Sequence, residues 1–318
     1  MVRFSEHFNI TPNSQSDLEF VNIRLDTDNL LFLDPSLMAV SDNELFRRWN
    51  EIIGDFFNTA LGYYNAGDTD SARGIFKSSQ ESNEIFLGYS KGAPGGNGNT
   101  EDSLVKVFDY LLNEELLDVG IVNGIEDCYI FVPRFGPDFF SDLIASFLKK
   151  ELILFTIEQC NIHGIERTFE LEKPYWDDIT HSGLNFTEMV PEYNGNPIVL
   201  IPKKIIVKDY LYSPERYLSD IVSVWRQESH RDGNTELHRN RTEGKPFVSK
   251  EILREKEIKD NNLTDKEYLI QMTRENVDLI QLFRDNILHA QRGTNSGELT
   301  DDELEDLIKN SYEVEEVL

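Results

Sequence analysis

Two carboxylates stand where an apolar segment of the chain gives way to a helix. In CYIFVPRFGPDFFSD, Asp138 and Asp142 follow Gly136-Pro137 and are one helical turn apart. Proline is favoured in the first turn of a helix, so both acids are expected on one face of a helix beginning at Pro137. Acids placed after a buried strand are typical of sites in α/β proteins. The alternative is that Asp138 has no ligand and is favoured at this position only because its negative charge interacts with the dipole at the helix N-terminus.

A second pair of acids, Asp26 and Asp28, lies in LDTDNL near the N-terminus. In extended backbone their side chains share a face, which suits a shared cation. If this segment neighbours the one before Asp138, then Asp26, Asp28, Asp138 and Asp142 meet at one edge and can bind Mg²⁺ or Mn²⁺. Asp-Thr-Asp-Asn suits a turn equally well, and that alternative stays open.

A later apolar segment, VLIPKKIIV, carries Lys203 and Lys204. A Pro-Asp junction followed by a lysine-bearing strand resembles the PD-(D/E)xK nucleases, here through Asp138 and either lysine. The resemblance implies a metal-dependent nuclease in which the lysine supports the phosphate. The sequence departs from the family pattern, because Ile201 and Pro202 occupy the positions expected for the second acid.

The loop KGAPGGNGN places Gly95, Gly96 and Gly98 ahead of a helix. Backbone N–H groups in such a loop can cradle a phosphate. The loop lacks the Gly-Lys-Ser/Thr ending of a P-loop and the spacing of a Rossmann turn. Because Glu101 and Asp102 open the helix and repel phosphate, the alternative is a mobile loop that acts as a lid over the neighbouring acids.

Arg284 and His289 form an Arg-x4-His pattern in a helical segment. The pattern is similar to the motif of HEPN ribonucleases, in which arginine stabilises the phosphorane and histidine transfers protons. The similarity implies RNA cleavage that needs no metal. Residues at this spacing are about 140° apart around a helix, so they share a face only if that face is broad.

The chain is strongly acidic, with a net charge of −27 over 318 residues. This charge opposes binding of nucleic acid or anionic membranes over most of the surface. Residues 203–259 are the exception, with 13 Lys and Arg against 10 Asp and Glu, so any nucleic acid is expected to bind there. In the competing hypothesis of a non-enzymatic subunit, the acidic surface and the C-terminal segment GELTDDELEDLIKNSYEVEEVL dock a basic partner protein.

Cysteine usage and the N-terminus bear on the compartment. The chain has only 2 cysteines, Cys128 and Cys160, which provide neither a disulfide framework nor the spacing of a zinc site. MVRFSEHFNITPNSQ lacks the apolar core of a secretion signal, and no apolar run is long enough to span a membrane. We therefore expect a cytoplasmic protein without membrane contact.

The elements that position these residues follow from hydrophobic periodicity. It predicts an α/β or α+β fold with a mixed sheet and helices in residues 1–212. Strands are expected at DLEFVNIRLD, NLLFLDP, 83–89, 128–134 and NPIVLIPKKIIV, whereas residues 166–195 are expected to be irregular. Residues 213–296 are predicted to be helical, beginning at Pro214, and residues 297–318 to form an acidic helix or tail.

Three blocks, VNIRLDTDNLLFLDP, NEIFLGYSKG and FGPDFFSDLI, resemble uncharacterised bacterial proteins of mobile-element and phage-defence neighbourhoods. The resemblance implies a role in defence without naming an active site. We therefore expect a cytosolic defence component that acts on nucleic acid, with a metal-dependent phosphodiesterase centre around Asp138. The competing hypothesis is a non-enzymatic binding or regulatory subunit that docks a partner protein, and the third is a HEPN-like ribonuclease.

Overall fold

The computed structural model describes residues 2–80, 82–88, 100–117, 120–231, 235–239, 241, 243–293 and 297–310. Its first α-helices are α1 (Phe4–His7), α2 (Pro35–Val40), α3 (Glu44–Asn65), α4 (Thr69–Phe76), α5 (Thr100–Asn113), α6 (Ile125–Phe131), α7 (Pro137–Phe147) and α8 (Lys149–His163). The later ones are α9 (Pro214–Arg216), α10 (Ser223–Ser229), α11 (Glu236–Arg239), α12 (Lys250–Leu253), α13 (Asp265–Glu275), α14 (Asp278–Gln291) and α15 (Asp301–Asn310).

The strands are short apart from one hairpin. They are β1 (Phe32–Leu33), β2 (Phe169–Asp177), β3 (Ser182–Val190), β4 (Glu192–Tyr193), β5 (Asn196–Pro197) and β6 (Ile206–Val207). Single 3₁₀ turns occur at Gln15–Asp17, Asn83–Ile85 and Lys203–Ile205. Two π-helical segments, Tyr217–Val222 and Arg254–Lys259, continue α9 into α10 and extend α12.

The chain forms two compact units. Unit 1 comprises Met1–Phe108, Gly136–Tyr210 and Asn295–Leu318, and unit 2 comprises Asp109–Phe135 and Leu211–Thr294. Both units are discontinuous in sequence, because residues 109–135 join the helical part of the chain and the C-terminal segment joins unit 1.

The α+β fold and the helical C-terminal region expected from the sequence are confirmed. Within the described residues each sheet is a two-stranded antiparallel pair: β1 with β6, β2 with β3, and β4 with β5. The β2–β3 hairpin runs in register from Phe169 opposite Val190 to Asp177 opposite Ser182. It lies in residues 166–195, so the expectation that this region is irregular was wrong.

The predicted strand at residues 128–134 is also wrong, since this segment belongs to the buried helix α6 and the turn after it. The backbone N–H groups of Asn123 and Gly124 donate to Asp127 Oδ2 at 2.7 and 3.2 Å, which stabilises the helix N-terminus. A short apolar run that is buried on all sides has the same pattern in a helix and in a strand. The hydrogen bonds to Asp127 at the start of α6 therefore favour the helix over the strand.

Three further predicted strands are reduced to isolated pairings. DLEFVNIRLD makes single bridges, such as Phe20 with Pro202, and residues 83–88 contain a 3₁₀ turn and one bridge from Leu87 to Asn29. The segment NPIVLIPKKIIV forms strand only at β5 and β6, because the backbone groups in its middle form hydrogen bonds with several different segments. For example, Val199 N donates to Glu84 O at 2.7 Å.

Unit 1 is built around the long amphipathic helix α3. Its buried face includes Phe56, whose ring lies 4.0 Å from that of Phe147 on α7 and 5.2 Å from that of Trp176 on β2. The backbone N–H of Leu33 donates to Ser141 Oγ at 3.0 Å, which joins β1 to α7. This core fixes the start of α7 relative to the N-terminal segment.

Unit 2 packs α6 against α9 and α13. Lys266 of α13 donates from Nζ to the carbonyl oxygens of Tyr129, Val132 and Phe135 at 2.6, 2.8 and 2.9 Å, and so caps the C-terminal end of α6. Among the described residues, no helix is both long and apolar enough to cross a membrane.

Candidate functional site

The predicted helix start at Pro137 is confirmed, and it brings Asp138 against another segment of unit 1. A Cβ atom added to Gly88 would lie 2.6 Å from Asp138 Oδ1, so the carboxylate sits directly on the glycine backbone. Gly88 N also donates to Asn29 O at 3.0 Å. The turn that carries Asp28 and the first turn of α7 therefore meet at the same residue.

That turn is held by its own hydrogen bonds. Asn29 accepts from Arg24 N at 3.0 Å through Oδ1 and donates to Phe86 O at 2.8 Å through Nδ2. Asp26 receives two hydrogen bonds from the buried Arg24 side chain, at 3.1 and 3.2 Å. Partial burial raises the pKa of Asp26, but the hydrogen bonds and charge of Arg24 outweigh it, and the net pKa lies below its usual value.

The described part of the chain contains no group of three or more His, Cys, Asp or Glu side chains arranged to hold a metal ion. Asp26 is thus an ion-pair partner of Arg24 in this structure. Gly95, Gly96 and Gly98, which the sequence suggested as a phosphate cradle, lie outside the described residues.

Lys203 and Lys204 lie in a 3₁₀ turn and contact the C-terminal segment. Lys203 Nζ donates to Gln15 O at 3.1 Å and to Asp301 Oδ1 at 2.8 Å, and only 13% of its side chain is exposed. Lys204 Nζ lies 3.4 Å from Glu298 Oε1. Both candidate phosphate-binding lysines are therefore paired with carboxylates of the same chain.

A third cation, Arg3, completes this surface, which we call the basic strip (Arg3, Lys203 and Lys204). Arg3 Nη1 donates to Glu305 Oε2 at 2.6 Å. The acids that meet the strip follow one another along the chain, from Glu298 to Asp301 and then to Glu305 one turn later. The strip therefore runs beside the start of α15.

Helix α15 is defined by ordinary helix signals. Thr300 and Glu303 form a capping box, in which Thr300 N donates to Glu303 Oε2 at 2.9 Å and Glu303 N donates to Thr300 Oγ1 at 3.2 Å. Leu304 and Ile308, one turn apart, are each 1% exposed. The helix packs against the 3₁₀ turn Gln15–Asp17. The helix thus joins the rest of unit 1 through both its acidic and its apolar residues.

Arg284 and His289 are placed differently from each other on α14. Arg284 donates to Asp127 at 2.7 Å through Nη2 and at 3.3 Å through Nε, and also to Ile121 O at 2.9 Å. Asp127 is 3% exposed and also accepts from Tyr212 Oη at 2.5 Å. His289 is exposed. Arg284 thus belongs to a buried network within unit 2, whereas the His289 side chain is exposed.

Sequence reasoning missed Arg3 and the individual acids of α15 that bind the basic strip. The signals available were the Thr300–Glu303 capping box and the apolar residues Leu304 and Ile308 at helical spacing. These predict an amphipathic helix but not the surface that it contacts. That surface lies in distant parts of the sequence.

Comparison with known proteins gives one match. The region of residues 9–213 matches a family described as a domain of unknown function (DUF8370). No curated protein and no solved structure matches the chain. Lys203 and Lys204 lie inside the matched region, whereas α15 lies outside it. Because the match covers more than half of the chain, the protein belongs to the DUF8370 family.

Proposed function

We propose that this protein is a binding or regulatory component that docks an acidic amphipathic helix of a partner protein at the basic strip, two of whose three cations, Lys203 and Lys204, lie in the DUF8370 region. The observation that carries the proposal is the binding of α15 to that strip. The helix and the residues just before it have the features of a peptide ligand: Asp301 and Glu305 of α15 and the preceding Glu298 pair with the three cations, and two apolar side chains of α15 are buried one turn apart. Helix-in-groove recognition uses such anchors.

The charge distribution supports this choice of ligand. The chain as a whole has a net charge of −27, but the basic strip is cationic. The side chains of Arg3 and Lys203 are each less than one seventh exposed, and both are already paired with acids. The strip is therefore complementary to an anionic helix. The buried Leu304 and Ile308 favour a peptide over a nucleic acid, because a phosphate backbone has no apolar side chains to fill their positions. The partner therefore has acidic residues beside an apolar stripe.

Energetics favour a displaceable α15. The exposed Lys204–Glu298 pair contributes about 0–1 kcal/mol. The attraction in the partly buried Arg3 and Lys203 pairs is offset by the desolvation of their charges, and burial of a leucine or isoleucine contributes about 1.5–3 kcal/mol. The cost of ordering a ten-residue helix opposes these gains. An internal helix held by a small net free energy is displaced when a partner offers a longer apolar stripe or more acids.

The biological setting follows the sequence resemblance to proteins of mobile-element and phage-defence neighbourhoods. In a cytoplasmic defence component, displacement of α15 by an acidic viral or mobile-element protein is a direct means of detecting that protein. Acidic proteins of this origin are therefore the first partners to screen.

The test uses the full chain with Leu304→Asp and Ile308→Asp, which release α15, and a labelled peptide of residues 297–310. We expect the peptide to bind this variant at least tenfold more tightly than the wild type, because in the wild type α15 occupies the strip. Adding Lys203→Glu should abolish binding. The matched control is Lys208→Glu, the same charge change at an exposed lysine on the same segment.

Two results would count against the proposal. One is a peptide that does not bind the released variant although nuclear magnetic resonance shows α15 undocked. The other is a released variant that binds single-stranded or duplex nucleic acid through Lys203 but does not bind the peptide, which would favour nucleic acid as the ligand.

A second candidate, metal-dependent cleavage of nucleic acid, is supported by the meeting of Asp138 and the Asp28 turn at Gly88. Mg²⁺ is commonly held by one or two carboxylates together with substrate phosphates, so a site of this kind needs no group of three acids. It predicts cleavage of DNA or RNA that requires Mg²⁺ or Mn²⁺ and is abolished by Asp138→Asn, with His289→Ala as the active control. Metal-dependent activity that survives Asp138→Asn would exclude this centre.

A further inference from the structure

Unit 2 contains a pocket of about 230 Å³ that plays no part in the proposed function. One wall is the continuous helix formed by α9, the π-helical segment Tyr217–Val222 and α10. The opposite wall is α12 with the π-helical segment Arg254–Lys259, and Tyr268 of α13 also lines the pocket. Its volume is below the roughly 300–1,000 Å³ of sites for drug-sized molecules, so it suits a smaller ligand.

Both walls change from α-helical to π-helical winding beside this pocket. A π-segment inserts one extra residue into a turn, is rare, and occurs frequently at functional sites. Here two of them face the same cavity, and α13 packs against both. Two independent departures from regular winding at one place argue that the shape of the pocket is functional.

The side chains that line the two walls carry opposite net charges. The first presents a stripe of one carboxylate and two hydroxyls, from Glu215, Ser219 and Ser223. The second presents two cations, Lys250 and Arg254, one turn apart, together with the carboxylate of Glu251. Arg254 Nη2 is also paired with Asp265 of α13. Lys250 Nζ donates to Ser219 O at 2.6 Å, so its ammonium already reaches across to the first wall.

The floor between the charged rims is apolar and rigid. Leu218, Leu253 and Ile258 are buried and line it. The Tyr268 hydroxyl donates to Glu257, which also accepts from Arg226 Nη2 at 2.7 Å. A buried ring of this kind, fixed by hydrogen bonds, gives a wall that keeps its shape when a ligand enters.

We infer that this pocket binds a small zwitterion, an α-amino acid with an aliphatic side chain. Its carboxylate would bind Lys250 and Arg254, its ammonium would bind Glu215 with the serine hydroxyls, and its side chain would cover the apolar floor. The inference concerns unit 2 alone and is independent of the basic strip.

Titration calorimetry on the full chain, with L-leucine as the probe, tests this inference. We expect binding of L-leucine and at least tenfold weaker binding of 4-methylpentanoate, which lacks the amine, and of 3-methylbutylamine, which lacks the carboxylate. Arg254→Gln should weaken binding of L-leucine at least tenfold, and Glu215→Gln, on the opposite wall, should do the same. Lys259→Gln is the matched control, because this exposed lysine lies in the same π-helical segment but does not line the pocket.

Equal binding of the three compounds would overturn the assignment, as would no heat and no ligand-detected magnetic resonance signal with L-leucine at millimolar concentration. Retained binding in both Arg254→Gln and Glu215→Gln would also overturn it. Thermal melting of each variant identifies any that has lost its fold. If one of the two variants is unfolded, the binding of L-leucine by the variant on the opposite wall decides whether the assignment holds.

Discussion

Arg3 and Glu305 are 302 positions apart in the sequence and are joined by a hydrogen bond of 2.6 Å. The Arg3 side chain is only 9% exposed. Partial burial raises the pKa of Glu305, but hydrogen bonds from Arg3 and Lys309 outweigh it and leave the net pKa below its usual value. The pair therefore fastens the C-terminal helix to the beginning of the chain.

This pair makes the docking of α15 dependent on pH. Because folding lowers the pKa of Glu305, the pair stabilises docking above the unfolded pKa and loses its effect as the pH falls through the folded pKa. We expect release of α15 below about pH 4. The magnetic resonance signals of its backbone amides measure this release. Glu305→Gln should weaken docking at pH 7 and reduce this transition to the part that Asp301 and Glu298 contribute through their own ion pairs. Docking that is unchanged to pH 3 would contradict the prediction.

Substitution of Gly88 tests the contact with Asp138. Gly88 has φ +121, and a Cβ there would lie 2.6 Å from Asp138 Oδ1. Gly88→Ala should lower the free energy of unfolding by about 1–3 kcal/mol, measured by urea denaturation. Asp138→Ala in the same chain should recover only the part due to the clash. Gly54→Ala is the control, since nothing lies within 4 Å of its Cβ position in α3, and it should be neutral or stabilising.

The Asp127–Arg284 pair should be structural. Asp127→Asn leaves the Arg284 guanidinium partly buried without its counter-charge, which should cost about 3–5 kcal/mol of unfolding free energy. Adding Arg284→Met should restore much of that loss, because the uncompensated charge is gone. His289→Ala, at an exposed position on the same helix, should change stability by less than about 0.5 kcal/mol. Additive losses in the double variant would show that the two residues act independently.

Lys266 should make stability rise in mildly alkaline solution. Burial lowers the pKa of Lys266 to about 8. Between that value and the unfolded value of roughly 10.4, the unfolded state binds more protons, so the free energy of unfolding rises with pH through this window. Urea denaturation from pH 7.5 to 10 measures the slope, which Lys266→Met should reduce. A slope that survives this substitution would assign it to other groups.

Local sequence signals predicted the helices well. Pro137 and Pro214 were identified as helix starts, and α7 and α9 begin at these residues. Trp49, Ile53 and Phe56 at helical spacing before Gly67 likewise predict a helix, and this segment forms α3, which ends at Asn65. In each case the deciding interaction lies within a few residues of the signal.

The strands were predicted poorly, because their pairing is not local. Residues 128–134 were predicted to form a strand but belong to helix α6 and the turn after it. Residues 169–190 were predicted to be irregular but form the β2–β3 hairpin. An apolar run such as CYIF fits a buried helix as well as a strand. The Tyr175 and Leu184 pairing of the hairpin is visible only once both strands are aligned.

The candidate site was only partly accessible from the sequence. Lys203, Lys204 and the acidic C-terminal segment were each recognised, but as surfaces for external partners. That they bind one another depends on long-range packing, as in the contact of Lys203 with Asp301 across 98 positions. The change from α to π winding in α12 likewise has no local signal.

The DUF8370 region ends at residue 213, whereas α6 within it packs against helices that follow that boundary. Lys266, which caps α6, and Arg284, which neutralises Asp127, are both beyond residue 213. The unit of family descent and the unit of folding therefore do not coincide in this chain. A gene fragment cut at the family boundary would encode α6 with an exposed apolar surface and with Asp127 lacking its cationic partner, so we expect the later helices to be needed for that part of the family region to fold.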